Sequence, residues 1–440
     1  ARPKSSLGVD RALLAPSLAI FRHQGYLHYW IMRQLVSAAR QMVMVALAWQ
    51  VYGIARAPLL EGGLGWDEKG ATFLTGLIGL TIFVPVLLFS LIGGQAADRL
   101  NKKYILIAAH LVRFLAFAAF AVSVSLPAQL ALPVIFTGAV VLGVIYAFVP
   151  AASNALFPTL VPRQELPQAI AWNSLGYQSS SILGPAVAGL LITVGLPLVY
   201  VAGMAMSLGA LLAIATAVTP AHVKQVNARG LAMIWDGLRY VASNKTVLGA
   251  ISLDLVAVFF AGSVALLPVY ARDILEVGPQ GYGLLWSATA IGAAAVAAIL
   301  ATRPLTRRVG QWMFGAVALF GVSIIVFGLS TFFWLSFIAL VIHGAADMIS
   351  VFVRQSLIQL ATPDAMKGRV TSVSFIFIAG SNELGEFQSG VATRSLGPVG
   401  AVLLGGTVAI AAAGIWMRLF PQLATADRFE DVKEEPLSDG

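Results

Sequence analysis

About a dozen apolar runs, each roughly 20 residues or longer and separated by short polar loops, dominate this 440-residue chain. A helical residue rises about 1.5 Å and the hydrocarbon core of a bilayer is about 30 Å thick, so each run is long enough to cross it. The runs fall near residues 26–54, 70–92, 103–124, 130–153, 167–193, 197–219, 246–271, 280–302, 311–329, 332–356, 369–392 and 398–419. With 58% apolar and only 11% charged residues, the composition argues against a soluble enzyme. The expected class is an all-α membrane protein with twelve transmembrane helices, and no enzymatic activity is expected. The first 20 residues lack an apolar core followed by a small-residue cleavage site, so no cleavable signal peptide is expected.

The net charge of +8 has a topological meaning. Basic residues stay on the cytoplasmic side of a membrane. With the N-terminus inside, the inner segments hold 21 of the 28 Lys and Arg residues. The outer loops hold Arg56, Lys69, Arg272 and Arg394, while Arg33, Arg40 and Arg113 fall within spans. That asymmetry predicts both termini in the cytoplasm of a multi-pass protein, in a bacterial inner membrane. Because the cations lie between apolar runs rather than in one stripe, no nucleic-acid partner is expected. The chain has no cysteine, which removes thiolate metal sites and nucleophiles from consideration.

Two halves are expected: residues 1–219 and 246–420, each with six helices, joined by a linker over 220–245. Leu231, Ile234, Trp235, Leu238 and Val241 have helical spacing, which suits an amphipathic helix on the inner membrane surface. Leu160-Val161-Pro162-Arg163-Gln164-Glu165, after span four, matches Ala361-Thr362-Pro363-Asp364-Ala365-Met366, after span ten, in position within each half. Duplicated halves place a solute pathway at their interface. Residues 421–440, acidic and polar, are expected to form a disordered cytoplasmic tail.

Between spans two and three the chain reads Gly93-Gly94-Gln95-Ala96-Ala97-Asp98-Arg99-Leu100-Asn101-Lys102-Lys103. Small residues let helix ends approach, Asp98 can accept hydrogen bonds at a helix N-terminus, and the cations can pair across a cytoplasmic gate. The loop resembles the signature of the major facilitator superfamily, with Gly94, Asp98, Arg99, Lys102 and Lys103 at motif positions and Asn101 where Gly is usual. Span five carries Gly184-Pro185-Ala186-Val187-Ala188-Gly189, which resembles a degraded form of the motif of that superfamily's exporters. Close packing and a functional gate both remain readings of Gly184, Pro185 and Gly189. Gly380-Ser381-Asn382-Glu383-Leu384-Gly385-Glu386 in span eleven is similar to the enterobactin exporter branch, as are Arg354-Gln355-Ser356 and Leu253-Asp254-Leu255. Gln388 stands where that branch has an acid. The resemblance implies the twelve-helix major facilitator fold, a monomer, and proton-coupled export of a catecholate siderophore or another amphipathic solute.

Charges inside spans are costly and must face the bundle or a wet cavity. Here they are Arg33, Arg40, Arg113, Asp254, Asp347, Glu383 and Glu386, three positive and four negative. Mutual pairing and function are open readings for Asp254, Asp347 and Arg113. Glu383 and Glu386, at i and i+3 on one helix face, repel one another, so one of them can bind and release a proton. They are assigned to proton coupling with Asp254. Arg33 and Arg40 share one face of span one and can neutralise acids or hold an anionic solute, and Arg113, Asn382 and Asp347 join them as candidates for solute binding or charge pairing. His343 and Asp347 alone are too few ligands for a metal, so no metal or cofactor is expected. No phosphate-binding loop is present to use ATP. Trp49, Gln50, Tyr146, Asn154, Phe259, Phe260 and Phe352 are candidates to line the solute cavity. The partners expected are a small-molecule solute, protons and the lipid bilayer. Import, movement of a lipid-like solute, and a receptor or scaffold without turnover are the competing readings.

Overall fold

A computed structural model describes residues 18–219, 230–262 and 264–429. Among them the ordered elements are helices. α1 (Gln24–Arg56), α2 (Glu68–Arg99), α3 (Lys102–Ser123), α4 (Ala128–Leu156), α5 (Leu166–Val194) and α6 (Leu196–Thr216) form a first group. α7 (Gly230–Ser243) leads to α8 (Lys245–Phe260), the short α9 (Leu267–Val269), α10 (Gly278–Thr302), α11 (Val309–Leu329), α12 (Phe333–Ala361), α13 (Asp364–Leu419) and α14 (Pro421–Ala424). Ten stretches among the described residues are long and apolar enough to cross a membrane. α1 is long enough at 33 residues but carries Arg33 and Arg40. The last stretch, Met366–Leu419, is broken at Gly397, whose φ of 73° lies in the left-handed region open to glycine.

Helix starts follow local chemistry. Asp67, Asn101 and Asn244 each cap a helix by accepting from a backbone N–H, at 2.8, 3.0 and 2.9 Å. Asn101, which replaces a motif glycine, therefore serves as the cap of α3. Pro162 and Pro363 adopt nearly the same conformation (φ −59°, ψ 148° and φ −57°, ψ 146°) immediately before helical turns, in keeping with the internal repeat.

The burial pattern is inverted relative to a water-soluble protein. Leu88, Leu115, Leu183 and Leu190 are exposed on the outside, whereas Arg113, Tyr29, Tyr52, Tyr200 and Tyr282 are fully buried. Such a surface suits lipid, not water. Interior contacts depend on glycine where backbones meet. A methyl group placed on Gly344 of α12 would lie 1.9 Å from the Thr289 carbonyl oxygen of α10, and one on Gly315 of α11 would meet nothing within 4 Å. Gly344→Val is expected to destabilise at or beyond the upper end of the ~1–3 kcal/mol typical of overpacking, with Gly315→Ala nearly neutral. The yield of monodisperse protein on size exclusion checks both.

Two expectations need correction. The chain does not leave the fold at residue 421. Pro421–Ala424 is helical, Leu423 is buried, and Asp427 accepts from the backbone N–H of Arg308 at 3.0 Å through its side chain and of Val309 at 3.3 Å through its carbonyl. With the Gly310 N–H bonded to the Ala426 carbonyl at 3.0 Å, this segment satisfies the open first turn of α11. The remainder of the expected tail, 430–440, lies outside the described residues, as does 220–229 of the expected linker. Arg354, counted with the inner loops, lies within α12 and is buried. α7 packs on α13, where Arg369 is paired to Asp236 at 3.1 Å, and on the end of α12, where Tyr240 donates to the Ala361 carbonyl at 2.8 Å.

Candidate functional site

The first group of helices meets the second chiefly where α2 lies against α13 and α5 against α10. The acidic turn of α13 sits on the first of these contacts. Glycines let it come so close: a methyl on Gly79 of α2 would lie 2.9 Å from the Glu383 carbonyl oxygen and 3.2 Å from Glu386 Oε2, and one on Gly76 would lie 2.8 Å from the Glu386 carbonyl oxygen. Arg40 of α1 approaches from the other side, 3.9 Å from Glu383 Oε1. Its guanidinium lies over the ring of Tyr146, 4.5 Å from the centroid. Glu383 Oε2 is buried without a hydrogen-bond partner. Two carboxylates and one guanidinium leave one negative charge in excess at a junction between helix groups, an arrangement suited to taking up a proton.

Of the charges left open between mutual pairing and function, one is ion-paired among the described residues and two are not. Asp254 of α8 is paired with Arg354, so it has a structural partner that the sequence reading placed in a loop. Arg113 meets no carboxylate among the described residues. It lies 5.9 Å from the centre of the Tyr146 ring and 3.3 Å from His110 Nδ1. Arg33 is apart from the acids and donates to Ser153 Oγ at 3.4 Å. Asp347 has no ion-pair partner among the described residues and faces a cavity of about 390 Å³ whose walls come from α1, α5, α8, α10, α11, α12 and α13. Asn382 and His343 also line it. None of the seven residues put forward as cavity lining does so. Gln50, for example, is spent on packing, donating to Ser123 Oγ at 3.0 Å and accepting from the Tyr200 hydroxyl at 2.5 Å.

The signature loop spans the end of α2 and the start of α3. The close approach belongs to Gly93, where a methyl would lie 2.4 Å from the Ala147 carbonyl oxygen of α4, while Gly94 has nothing within 4 Å. Lys103 donates to the Ala217 carbonyl at 2.8 Å and so ties α3 to the end of α6. Asp98 and the Lys102 side chain make no hydrogen bond or ion pair among the described residues. In span five, Gly184 lies against Gln41 of α1, and Gly189 against the Pro279 carbonyl oxygen and Gly283 of α10 at 2.5 and 3.0 Å from an added methyl. Pro185 lies inside α5 and offers its carbonyl oxygen to the same contact, 2.5 Å from a methyl on Gly283.

At the membrane end opposite the signature loop, sequence reasoning missed a set of contacts closing the two groups together. Tyr52 donates to Asp273, and Arg56 is 3.5 Å from the same carboxylate. Arg272 stacks on Trp49, 3.9 Å from its ring, and donates to the Trp49 carbonyl at 3.3 Å. Tyr282 donates to the Val45 carbonyl at 3.2 Å. Arg272 and Asp273 look like ordinary loop charges in sequence, but a π-helical turn, Tyr270–Ile274, turns them towards α1. Asp273→Asn is expected to shift the distance distribution between spin labels at Leu60→Cys and Gln280→Cys towards longer values. Double electron–electron resonance checks this, and no native cysteine interferes.

A helical shell with an apolar outside, glycine-mediated contacts between two helix groups, and buried charges at and near their junction are the features of a multi-pass membrane transporter of the major facilitator superfamily. A family profile described as transmembrane secretion effector matches residues 15–437. The chain belongs to that family, which is one of transporters and not of enzymes. It is similar to the enterobactin exporter EntS of Shigella boydii, 25% identical over 349 residues that cover 76% of this chain and 83% of that one. It is also similar to a Na(+), Li(+), K(+)/H(+) antiporter of Planococcus maritimus, 25% identical over 329 residues covering 68% and 77% of the two chains. In fold it resembles a POT family transporter solved in complex with 5-aminolevulinic acid, with a TM-score of 0.70 at 12% identity, covering 91% of this chain and 96% of that one.

Proposed function

We propose that this protein is a proton-motive-force-driven secondary transporter that moves a small amphipathic organic solute by alternating access. The observation that carries the reading is the excess negative charge of Glu383, Glu386 and Arg40 where α2 and α13 meet. Protonation there changes the charge of a contact that has to open and reform if the two helix groups rock. In this reading the groups are two six-helix halves of twelve spans, α1 and the break at Gly397 adding two spans to the ten apolar stretches. Both termini lie in the cytoplasm of a bacterial cell, and the transporter works as a monomer.

Export is supported by the family's description and by the likeness to an enterobactin exporter, which also support an aromatic, siderophore-like or drug-like solute. Import is the second reading, since solved proteins of this fold include a D-xylose-proton symporter. The test is uptake of labelled aromatic solutes, an iron-free catecholate siderophore among them, into proteoliposomes of known orientation under pH gradients of either sign. Exchange, in which protons and solute move in opposite directions, is expected for export, and movement in the same direction supports import. Flux unaffected by a protonophore in every case would overturn proton coupling.

A further inference from the structure

Among the described residues, the cavity beside α12 has one formally charged lining residue, Asp347. Its neighbours do not neutralise it. Arg354, the nearest cation along α12, is committed to Asp254, so the three together carry one net negative charge. Arg40, in the first helix group, is committed to Glu383. His343, one turn from Asp347, is buried, stacks on Phe320 with ring centres 4.0 Å apart, and points Nδ1 at the Phe320 carbonyl oxygen at 3.4 Å. An unpaired carboxylate in a low-dielectric cavity attracts a counter-charge, and among the described residues the nearest cation, Arg354, is already shared with Asp254.

From this unneutralised carboxylate in an aromatic-walled cavity we infer that the site binds an organic cation, an ammonium group carried on an apolar or aromatic body. The cationic head sits against Asp347, and Trp286 and Tyr177, both in the wall, supply aromatic rings against which the same charge can rest. The volume of about 390 Å³ suits one compact solute, near the low end of the ~300–1,000 Å³ usual for such sites. An anionic aromatic acid would face Asp347 charge to charge, and a neutral one would leave it unpaired. The inference rests on the transport reading above for its purpose, not for its binding chemistry.

Equilibrium binding to the full chain in neutral-lipid nanodiscs at pH 8 tests it. The probes are a tritiated naphthylmethyl-trimethylammonium cation, its neutral isostere with carbon in place of nitrogen, and 2,3-dihydroxybenzoate. The cation is expected to bind at least ~10-fold more tightly than the isostere, a discrimination in the range reported for desolvated charge recognition. Asp347→Asn should remove that difference, and Asp347→Glu should keep most of it. Equal affinity for cation and isostere in the unmodified protein, or tighter binding of the benzoate, would overturn the inference, and needs no variant to fold. Proton-driven flux of an anionic solute with no cation binding would overturn this inference and leave the transport reading standing. Cation binding with no gradient-driven flux of any solute would do the reverse.

Discussion

Arg354→Met is expected to lower the stability of the detergent-solubilised protein by about 3–5 kcal/mol, because it leaves the Asp254 carboxylate buried without its partner. Both side chains are nearly inaccessible, 4% and 8% exposed, so water cannot replace the lost contact. The double variant Arg354→Met with Asp254→Leu should recover most of the loss, since replacing a whole buried pair by apolar groups is often neutral or better. Thermal unfolding followed by the loss of monodisperse protein measures both. A single variant as stable as the parent would mean that Asp254 is not held by Arg354.

Glu386→Gln is expected to reduce gradient-driven solute uptake to the rate of protein-free liposomes while solute binding remains. The amide keeps the shape of the side chain against Gly79 but cannot release a proton. Solute counterflow without a pH gradient should survive, which separates lost coupling from lost folding. Glu383→Gln should act differently, because Glu383 is the acid that Arg40 approaches, and its loss frees that guanidinium. Unchanged gradient-driven uptake in Glu386→Gln would remove Glu386 from the coupling reaction.

The lipid-spanning architecture was legible because hydrocarbon thickness demands a run of apolar residues whose length can be counted. Glu383 and Glu386 were legible for a related reason, since a charge inside such a run has no indifferent place to sit. What escaped notice depends on contacts between residues far apart in the chain. Arg354 ends an apolar run and reads as a loop cation until the helix is seen to continue to Ala361. Gly76 and Gly79 carry no charge and no motif, yet their missing side chains are what admit the acidic turn of α13. Arg272 and Asp273 show their role only through the π-helical turn that aims them, and local composition does not encode such a turn. The cavity lining was missed for the same reason: aromatic residues mark packing as readily as a wall, and only the arrangement of seven helices distinguishes Trp286 from Trp49.

The contact between Asp427 and the start of α11 joins positions 119 residues apart. At ~5–20 residues per second, a ribosome needs about 6–24 s to make the intervening chain. During that interval the first amides of α11 have only water or lipid headgroups to bond. The start of α11 is therefore completed only once residue 427 has been made, and a nascent chain stalled before residue 426 would hold α11 with an unfinished end, a target for membrane quality-control proteases.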